Sequence, residues 1–382
     1  MRKIVCLATS PWYPIPTRKQ QVMSRIPDAE ILYFDPSVTY LAPLKDKAAR
    51  PGLSNYKNEG VHPQENITVY SLPPVLPFFY KFRWINKLNQ RRMARFVRRK
   101  MQAHGFTDVL LWVYSPVTAD LVDLVPHKGL VYDCVDRHSA YGGLMDPTLV
   151  DRMELELAGK TDRTFATADA LAERLRAAQP NTVMIPNGAN FERFVQAAQP
   201  QPVPEDLRDI PHPIFGFVGA LQSCIEYDYL EAAAKARPDW SFVLIGKEKP
   251  GVDLTALHAM PNVHFLGLKP NEQLPQYLAH FDACLNLFAK SDLSKDVSPL
   301  KFYEYLATGR PIVSTRQPDQ ILQYAPLIEI ADSPEEFIAA CEASLTDTAS
   351  ERTKARIEAG RACSWDSRVA QMCEILQEQG IL

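Results

Sequence analysis

Short runs of apolar residues, each bounded by turn-forming residues and followed by a helical stretch, recur along most of the chain. In its first half these runs are Ile4–Ala8, Ile31–Phe34, Val109–Val113, Gly129–Tyr132, Thr164–Ala166 and Val183–Ile185. Continuous apolar runs indicate strands that are buried on both faces, and intervening helices indicate that neighbouring strands are parallel. The alternation therefore predicts an α/β fold with a doubly wound sheet.

A proline-rich segment, residues 199–204, interrupts this alternation with prolines at three of its positions. Neither a helix nor a central strand tolerates such spacing, so we expect an interdomain linker here. The alternation restarts beyond it, with predicted strands at Ile214–Gly219, Phe242–Gly246, Val263–Leu266, Ala283–Leu287 and Ile312–Ser314. The predicted organisation is a first domain over 1–198, a second over 205–362, and a terminal segment, 363–382, whose amphipathic helix packs back on the first domain.

The composition suits two such domains and narrows the class of protein. The chain has 382 residues, of which 46% are hydrophobic and 23% charged, with a formal net charge of -3. These values argue against disorder and against general binding of polyanions. The chain lacks an apolar run of the ~20 residues that a membrane-spanning helix needs, and its first residues are too short a run for an export signal, so we expect a cytosolic protein. The seven cysteines are scattered and form no C-x-x-C pair, so we expect reduced thiols and no metal site.

The segment Ser298–Ser314 has the most informative pattern. Pro299 suits the start of a helix, and Gly309 followed by Pro311 suits its end. A helix N-terminus carries roughly half a positive charge and free N–H groups, which suit a diphosphate. Lys301 lies in the first turn, and Glu304, one turn later, is placed to accept hydrogen bonds from ribose hydroxyls. The alternative is an ordinary surface helix on which both side chains are solvated.

This segment resembles the C-terminal domain of glycosyltransferase family 4 and its relatives, in which two glutamates separated by seven residues precede an Ala-x-Gly-x-Pro turn. Glu304 matches the second glutamate, whereas Asp296 stands at the position of the first. The resemblance implies the GT-B fold, with two Rossmann-like domains that face a cleft. It also implies a donor site formed by Asp296, Ser298, Pro299, Leu300, Lys301 and Glu304, of which Lys301 and Glu304 are the leading catalytic candidates.

Two further stretches match the same family in the same order. Residues 185–188, Ile-Pro-Asn-Gly, resemble the segment that closes the first domain, and Phe215–Gly219 resembles the first strand and glycine turn of the donor domain. The family's basic pair is absent from the run after Gly219, as it is in the similar teichuronic-acid and exopolysaccharide subgroup. The phosphate charge must then be met by Lys301, by Lys247 after the next strand, or by helix N-termini.

Candidate residues in the first half follow two predicted strands. A loop after the first strand resembles a W-x-x-x-x-x-R-x-Q loop of that subgroup and contains Thr17 and Arg18, although a lone base in a loop is often merely solvated. After Gly129–Tyr132, two carboxylates and an imidazole suit proton transfer or the binding of sugar hydroxyls, with helix capping and a satisfied histidine as the alternative. We therefore expect Asp136 and His138 to be catalytic, and the acceptor to contact Thr17, Arg18, Asp133 and Asn187.

The segment Leu76–Met101 contains nine lysine or arginine residues and no acid. Trp84, Leu88, Phe96, Val97 and Met101 fall near one predicted helical face. A basic amphipathic helix with leading aromatic residues suits an anionic membrane surface. The alternative is a helix that packs its apolar face on the sheet of the first domain, and nucleic acid is the weakest candidate because no binding motif accompanies the bases.

These features together predict an enzyme that transfers a sugar to a glycan or lipid-linked acceptor in surface-polysaccharide synthesis. The expected donor is a uridine diphosphate sugar. The family resemblance implies retention of anomeric configuration, so no fixed base is required, and no metal or other cofactor is expected. Two alternatives stay open: a nucleotide-sugar epimerase of the same fold, and a non-catalytic protein that binds sugar nucleotides or polysaccharide. A dinucleotide-dependent oxidoreductase is disfavoured because no G-x-G-x-x-G follows a strand.

Overall fold

The computed structural model describes residues 1–140, 145–291, 293–347 and 349–382, with Leu293 described by its backbone alone. The chain divides into two compact units, one formed by Met1–Pro186 with Val369–Leu382 and the other by Asn187–Arg368. The boundary therefore follows Pro186, and the proline-rich segment 199–204, which we predicted to be the linker, lies inside the second unit. The reason is that Ala197 and Leu207, on either side of the prolines, are both buried in the second unit's core.

The first unit contains an eight-stranded sheet with the order β3-β4-β2-β1-β5-β6-β7-β8, in which only the β3–β4 pair is antiparallel. Its strands are β1 (Arg2–Leu7), β2 (Ala29–Asp35), β3 (Val61–Gln64), β4 (Ile67–Ser71), β5 (Leu110–Val113), β6 (Gly129–Cys134), β7 (Arg163–Ala166) and β8 (Val183–Met184). Its first five helices are α1 (Arg18–Met23), α2 (Ala42–Lys45), α3 (Arg83–Ala103), α4 (Pro147–Ala158) and α5 (Asp169–Arg176). The chain order reverses at β1, which lies between β2 and β5, so the switch point of this sheet is at the carboxyl end of β1.

The second unit contains a six-stranded parallel sheet with the order β11-β10-β9-β12-β13-β14. Its strands are β9 (Ile214–Val218), β10 (Ser241–Ile245), β11 (Val263–Gly267), β12 (Ala283–Asn286), β13 (Ile312–Thr315) and β14 (Glu329–Ala331). Its helices are α6 (Phe191–Phe194), α7 (Tyr227–Ala236), α8 (Thr255–His258), α9 (Leu274–Leu278), α10 (Leu300–Thr308), α11 (Pro334–Leu345), α12 (Ser350–Ala362) and the start of α13 (Trp365–Glu378). The predicted α/β fold with two doubly wound sheets is confirmed.

Strand β9 illustrates why these apolar runs form buried strands. Successive side chains of a strand point to opposite faces, so Ile214 and Val218 enter the core on one face of the sheet, and Phe215 and Phe217 enter the core on the other. Both faces of the sheet are thus covered by helices. This double burial explains why the strands are read from the sequence as continuous apolar runs rather than as alternating patterns. Among the described helices, none is long and apolar enough to cross a membrane.

Candidate functional site

Helix α10 begins at the carboxyl edge of the second unit's sheet, as the pattern at 298–314 predicts. Pro299 precedes its first residue, and the helix ends at Gly309, whose φ of 72° lies in the left-handed region that glycine adopts readily. The helix is fastened to the first strand of the sheet by Tyr305, whose hydroxyl accepts a hydrogen bond from the amide of Val218 at 2.8 Å. This hydrogen bond therefore fixes α10 relative to the end of β9.

Lys301 and Glu304 form an ion pair on the first turns of α10. The Lys301 Nζ lies 2.9 Å from Glu304 Oε2, and the Lys301 side chain is about one-third exposed, at 32%. Glu304 is only 5% exposed. Its burial raises the pKa of the carboxyl above its ordinary value, while the charges of Lys301 and Arg193 act in the opposite direction. The two side chains are thus not the solvated surface pair of the alternative interpretation.

A hydrogen-bonded network supports the entry to this helix. The Asn187 amide N–H donates to Ser298 Oγ at 2.9 Å, and its side-chain nitrogen donates to the Ser298 carbonyl oxygen at 3.1 Å. Gln320 accepts a hydrogen bond from the Tyr303 hydroxyl at 2.9 Å and donates to the Val297 carbonyl at 2.9 Å. Asn187, which we assigned to the acceptor, is therefore engaged with the segment that leads into α10.

The glycine turns of the second unit lie against each other. Gly219 follows β9 and Gly246 follows β10, and a side chain at Gly246 would put its Cβ 1.7 Å from the Gly219 carbonyl oxygen. Only glycine permits this approach of two backbones. Lys247, the predicted phosphate ligand, is exposed immediately after this turn, and its carbonyl accepts a hydrogen bond from the Leu221 amide at 3.0 Å. Its side chain is therefore accessible to a ligand at this edge of the sheet.

Asp296 and Arg193 are two further charged residues of the second unit. Asp296, at the position of the family's first glutamate, is buried at the end of a short helical turn. Arg193, on α6, is a cation that was not predicted from the sequence. Its charge acts to lower the pKa of the Glu304 carboxyl. No spacing rule marks Arg193, because it lies more than 100 positions before α10 and reaches Glu304 only in the folded unit.

In the first unit, Arg18 is buried and paired with Asp133. The guanidinium Nε lies 2.9 Å from Asp133 Oδ2, and Nη1 donates to the Pro186 carbonyl at 2.9 Å. The side chains of the two residues are 3% and 0% exposed. Our expectation that Arg18 lies in a loop is therefore wrong. Arg18 is the first residue of α1. It is buried next to the carboxylate of Asp133 because a buried charge without a partner would be very costly.

The neighbouring Thr17 has a structural partner as well. It caps the N-terminus of α1, where its backbone N–H donates to Gln20 Oε1 at 2.9 Å in a capping-box arrangement. Thr17 and Gln20 of the predicted loop motif thus have a structural role at the start of α1, where Arg18 also lies. Whether they also contact an acceptor stays a prediction.

The carboxylates and the imidazole at the end of β6 differ in burial, and the charge of Asp136 acts on His138. Asp136 is exposed, whereas His138 is buried with its Nδ1 3.9 Å from Glu154 Oε1. Burial lowers the pKa of His138 below its ordinary value. Glu154 also accepts a hydrogen bond from the Tyr132 hydroxyl at 2.5 Å and pairs with Arg174. His138 therefore belongs to a buried polar cluster, and its predicted catalytic role stays untested, as does that of Asp136.

The described residues include no group of three or more His, Cys, Asp or Glu side chains placed to hold a metal ion. The second unit offers cations and helix N–H groups for an anionic ligand, with Lys301 at the start of α10 and Lys247 at the glycine turn. The buried carboxylate of Glu304 offers an acceptor for hydroxyl groups. This set of groups suits a nucleoside diphosphate carrying a sugar.

Comparisons with known proteins agree with this chemistry. Residues 212–347 match the family model described as glycosyl transferases group 1. The protein TuaH of Bacillus subtilis (strain 168), named as a teichuronic acid biosynthesis glycosyltransferase, is 26% identical over 279 residues, which cover 69% of this chain and 70% of that protein.

Two solved structures are similar over nearly the whole chain. A sucrose-phosphate synthase from Thermosynechococcus elongatus aligns with a TM-score of 0.70 at 14% identity, covering 99% of each chain. The Anabaena protein Alr3699/HepE, solved with UDP and glucose, aligns with a TM-score of 0.64 at 16% identity, covering 99% of this chain and 100% of that one. At such identities the similarity concerns the fold.

Proposed function

We propose a donor, an acceptor class and a membrane partner for this chain, which is a family 4-like glycosyltransferase with the GT-B fold. The group 1 glycosyl transferase match and the similarity to TuaH confirm the predicted resemblance and enzyme class, and the structural neighbours confirm the predicted fold. The donor that we propose is a uridine diphosphate sugar, and the sugar transferred is a hexose. The acceptor is a glycan or a lipid-linked glycan of a surface polysaccharide.

The observation that carries the donor proposal is the buried Glu304 paired with Lys301 at the start of α10, within the residues that match the family model. Lys301 and the helix N-terminus supply positive charge for the diphosphate, and Glu304 accepts hydrogen bonds from the ribose hydroxyls. The transfer proceeds with retention, and stabilisation of the departing diphosphate supplies most of the rate acceleration. The UDP bound to HepE supports the choice of nucleotide.

Nucleotide-dependent thermal stabilisation tests this proposal. We expect UDP to raise the Tm of the full chain by several degrees, because a ligand at about 100 times its Kd stabilises by about 2.7 kcal/mol. GDP and ADP at the same concentration are the matched controls. A shift with GDP or ADP alone would reject the choice of base, and no shift with any nucleotide would favour a protein that binds polysaccharide without catalysis.

Product analysis then separates transferase from epimerase. We expect UDP release from a UDP-hexose to depend on an added acceptor glycan and the product to keep the donor's anomeric configuration by NMR. Conversion of one UDP-hexose to another without UDP release would identify an epimerase instead.

The membrane proposal rests on helix α3 and its approach segment. Trp84 and Leu88 are 63% and 46% exposed, whereas Phe96, Val97 and Met101 are buried in the core of the first unit. The prediction that all five share one face is therefore wrong, because Trp84 and Leu88 lie on the exposed side of the helix and the other three lie on its buried side. Trp84 and Leu88 share their outward face with exposed bases, namely Lys87, Arg91 and Arg95.

Helix α2 adds apolar side chains beside this basic surface. Tyr40, Leu41 and Leu44 are exposed, and Arg92 of α3 donates a hydrogen bond to the Tyr40 hydroxyl and lies over its ring at 5.7 Å. Exposed aromatic and leucine side chains among lysine and arginine suit the headgroup region of an anionic bilayer. We infer that this face binds the inner surface of the cell membrane, where a lipid-linked acceptor would be found.

Vesicle sedimentation tests the membrane proposal. We expect the full chain to bind vesicles containing 30% phosphatidylglycerol and to bind neutral phosphatidylcholine vesicles at least tenfold more weakly. Lys87→Glu with Arg91→Glu should weaken binding at least tenfold, since each base near the surface contributes about 1 kcal/mol. Arg208→Glu with Lys354→Glu, which makes the same charge change on exposed residues of the second unit, should have little effect. Equal binding by both double variants would contradict a specific surface.

A further inference from the structure

Helix α12 packs directly against the backbone of α10. A Cβ atom at Gly360 of α12 would lie 2.5 Å from the backbone nitrogen of Ala307 and 2.6 Å from its Cα atom. These separations are well below the roughly 3.5–4.0 Å at which carbon atoms make favourable contacts, so a side chain at position 360 would force the two helices apart. Gly360 therefore sets how closely α12 approaches the proposed donor helix.

Arg356, one turn earlier on α12, is a buried charge at the end of α10. Its side chain is 0% exposed, and that of its ion-pair partner, Asp347, is 4% exposed. The guanidinium Nε donates a hydrogen bond to the Gly309 carbonyl at 2.9 Å, and Nη1 donates to the Leu327 carbonyl at 3.1 Å and to Asp347 Oδ2 at 2.6 Å. One side chain thus connects the end of α10 with the segments that precede β14 and follow α11.

The buried guanidinium contributes position and not only stability. The last carbonyl groups of a helix have no donor within the helix and carry partial negative charge, so a cation suits this place. Stability alone does not require a charge there, because well-packed apolar side chains of similar volume are often as stabilising as a buried ion pair. What the guanidinium adds is direction, since its planar set of N–H groups fixes the distance and angle of each acceptor.

A displacement of the end of α10 is carried to its first turns. Glu304 lies five positions before Gly309, which is about 7.5 Å along the helix axis at 1.5 Å per residue. Lys301 and Glu304 are proposed to contact the diphosphate and the ribose, and misplacement of such a group by about 1 Å can cost about 100-fold in rate. The Tyr305 hydroxyl joins α10 to β9, and Arg356 joins its end to α12, so the two contacts fix the helix along its length.

We propose that Arg356 is a positioning residue for donor binding, which acts through α10 and, with Gly360, places Lys301 and Glu304 against the UDP part of the donor. The inference rests on the proposed function, in which α10 holds the donor. A purely structural residue affects UDP affinity only as far as it affects folding. A positioning residue affects UDP affinity even where stability is unchanged.

Two variants separate position from stability, with Tm measured by scanning calorimetry and UDP affinity by isothermal titration at a temperature at which each variant is folded. Arg356→Met should lower the Tm and weaken UDP binding about tenfold, because the Asp347 carboxylate loses a buried partner and the end of α10 loses its donor. Arg356→Met with Asp347→Leu should recover most of the Tm, since that carboxylate is removed. Arg352, the other partner of Asp347, keeps its ion pair with Glu329 at 2.9 Å. UDP should still bind the double variant about tenfold more weakly than the parent chain, because the Gly309 carbonyl does not regain the guanidinium.

Gly360→Ala tests the same helix contact without a change of charge, and it should weaken UDP binding at least fivefold. The matched control is Leu257→Ala, which truncates a buried side chain of α8 in the core on the other face of the sheet. It should lower the Tm to a similar extent as Arg356→Met and leave UDP affinity within twofold of the parent chain. If Arg356→Met does not fold, the double variant and Gly360→Ala decide.

Amide hydrogen exchange without nucleotide separates this inference from the donor proposal. We expect the amides of residues 300–308 to exchange about tenfold faster in the double variant than in the parent chain, and those of α7 to exchange equally in both. Faster exchange at 300–308, in a chain whose parent does not bind UDP, would reject the donor and keep the role of Arg356 in placing α10. Where the parent chain binds UDP, the positioning role is overturned if the double variant binds UDP as tightly as the parent, or if Leu257→Ala weakens binding as much as Arg356→Met. Unchanged exchange at 300–308 overturns it in either case.

Discussion

Replacing Glu304 with glutamine is expected to lower sugar transfer about 10- to 100-fold without lowering the Tm. The carboxylate is proposed to accept charge-assisted hydrogen bonds from the donor ribose, and each such bond contributes about 1.5–3 kcal/mol. The Tm should hold or rise, because burial raises the pKa of this carboxyl and its ionised form therefore destabilises the fold at neutral pH. Initial rates with saturating acceptor and UDP titrations by calorimetry measure the effect.

Lys301→Ala extends this prediction to the partner, and it should weaken UDP binding by about tenfold because a charge facing the diphosphate is lost. The matched control is the pair formed by Glu358 and Arg361, which has the same i,i+3 spacing on α12 and is mostly exposed. Glu358→Gln should change neither rate nor UDP affinity. Equal rates for Glu304→Gln and the parent enzyme would show that α10 does not hold the donor.

Replacing Arg18 with methionine is expected to destabilise the first unit by about 3–5 kcal/mol. The variant leaves the carboxylate of Asp133 buried without its cation, which is more costly than the loss of the pair itself. A change of this size corresponds to a Tm lower by roughly 10 °C. Differential scanning calorimetry of the full chain measures it, and Arg18→Met with Asp133→Leu should recover part of the loss because the buried carboxylate that lost its guanidinium partner is then removed.

Lys160→Met provides the comparison, since Lys160 pairs with Asp123 near the surface of the same unit and both side chains are substantially exposed. Such pairs contribute about 0–1 kcal/mol, so the Tm should shift by only a few degrees. A Tm for Arg18→Met within the range of Lys160→Met would mean that water reaches Asp133. Arg18 would then be available to an acceptor, as predicted from the sequence.

Most strands of both sheets could be predicted because most of them are buried on both faces. Such a strand needs a continuous apolar run, and Ile214–Gly219 and Val109–Val113 are of this kind. Strands β3, β4 and β14 were missed. Strand β3 lies at the edge of its sheet and most of its residues are exposed, so Val61–Gln64 has no apolar run to detect. In β4, Ile67–Ser71, apolar and polar residues alternate, and β14, Glu329–Ala331, has only three residues. The boundary between the units was predicted at the wrong place. Prolines mark where helices and strands end, but they do not show to which hydrophobic core the flanking residues belong.

Helix α10 could also be predicted from local pattern, because a helix start, a cation in the first turn and a terminating glycine lie within a few neighbouring positions. The burial of its side chains could not be predicted from that pattern. Lys301 and Glu304 could equally have been a solvated pair, and only the folded unit shows that Glu304 is a buried carboxylate. The same limit explains why His138 was read as an acid–base candidate, although it lies against the buried Glu154.

The fold class, most strands of the two sheets, the resemblance to a glycosyltransferase family and the helix that is proposed to bind the donor could be predicted from the sequence, because these depend on residue types at short and regular spacings. Tertiary structure alone decided which charges are buried, as in the Arg18–Asp133 pair across 115 positions, and placed Arg356 at the end of α10. The physical reason is that desolvation and hydrogen-bond satisfaction depend on every atom within a few ångströms, and the chain brings those atoms together only when its sheets are complete.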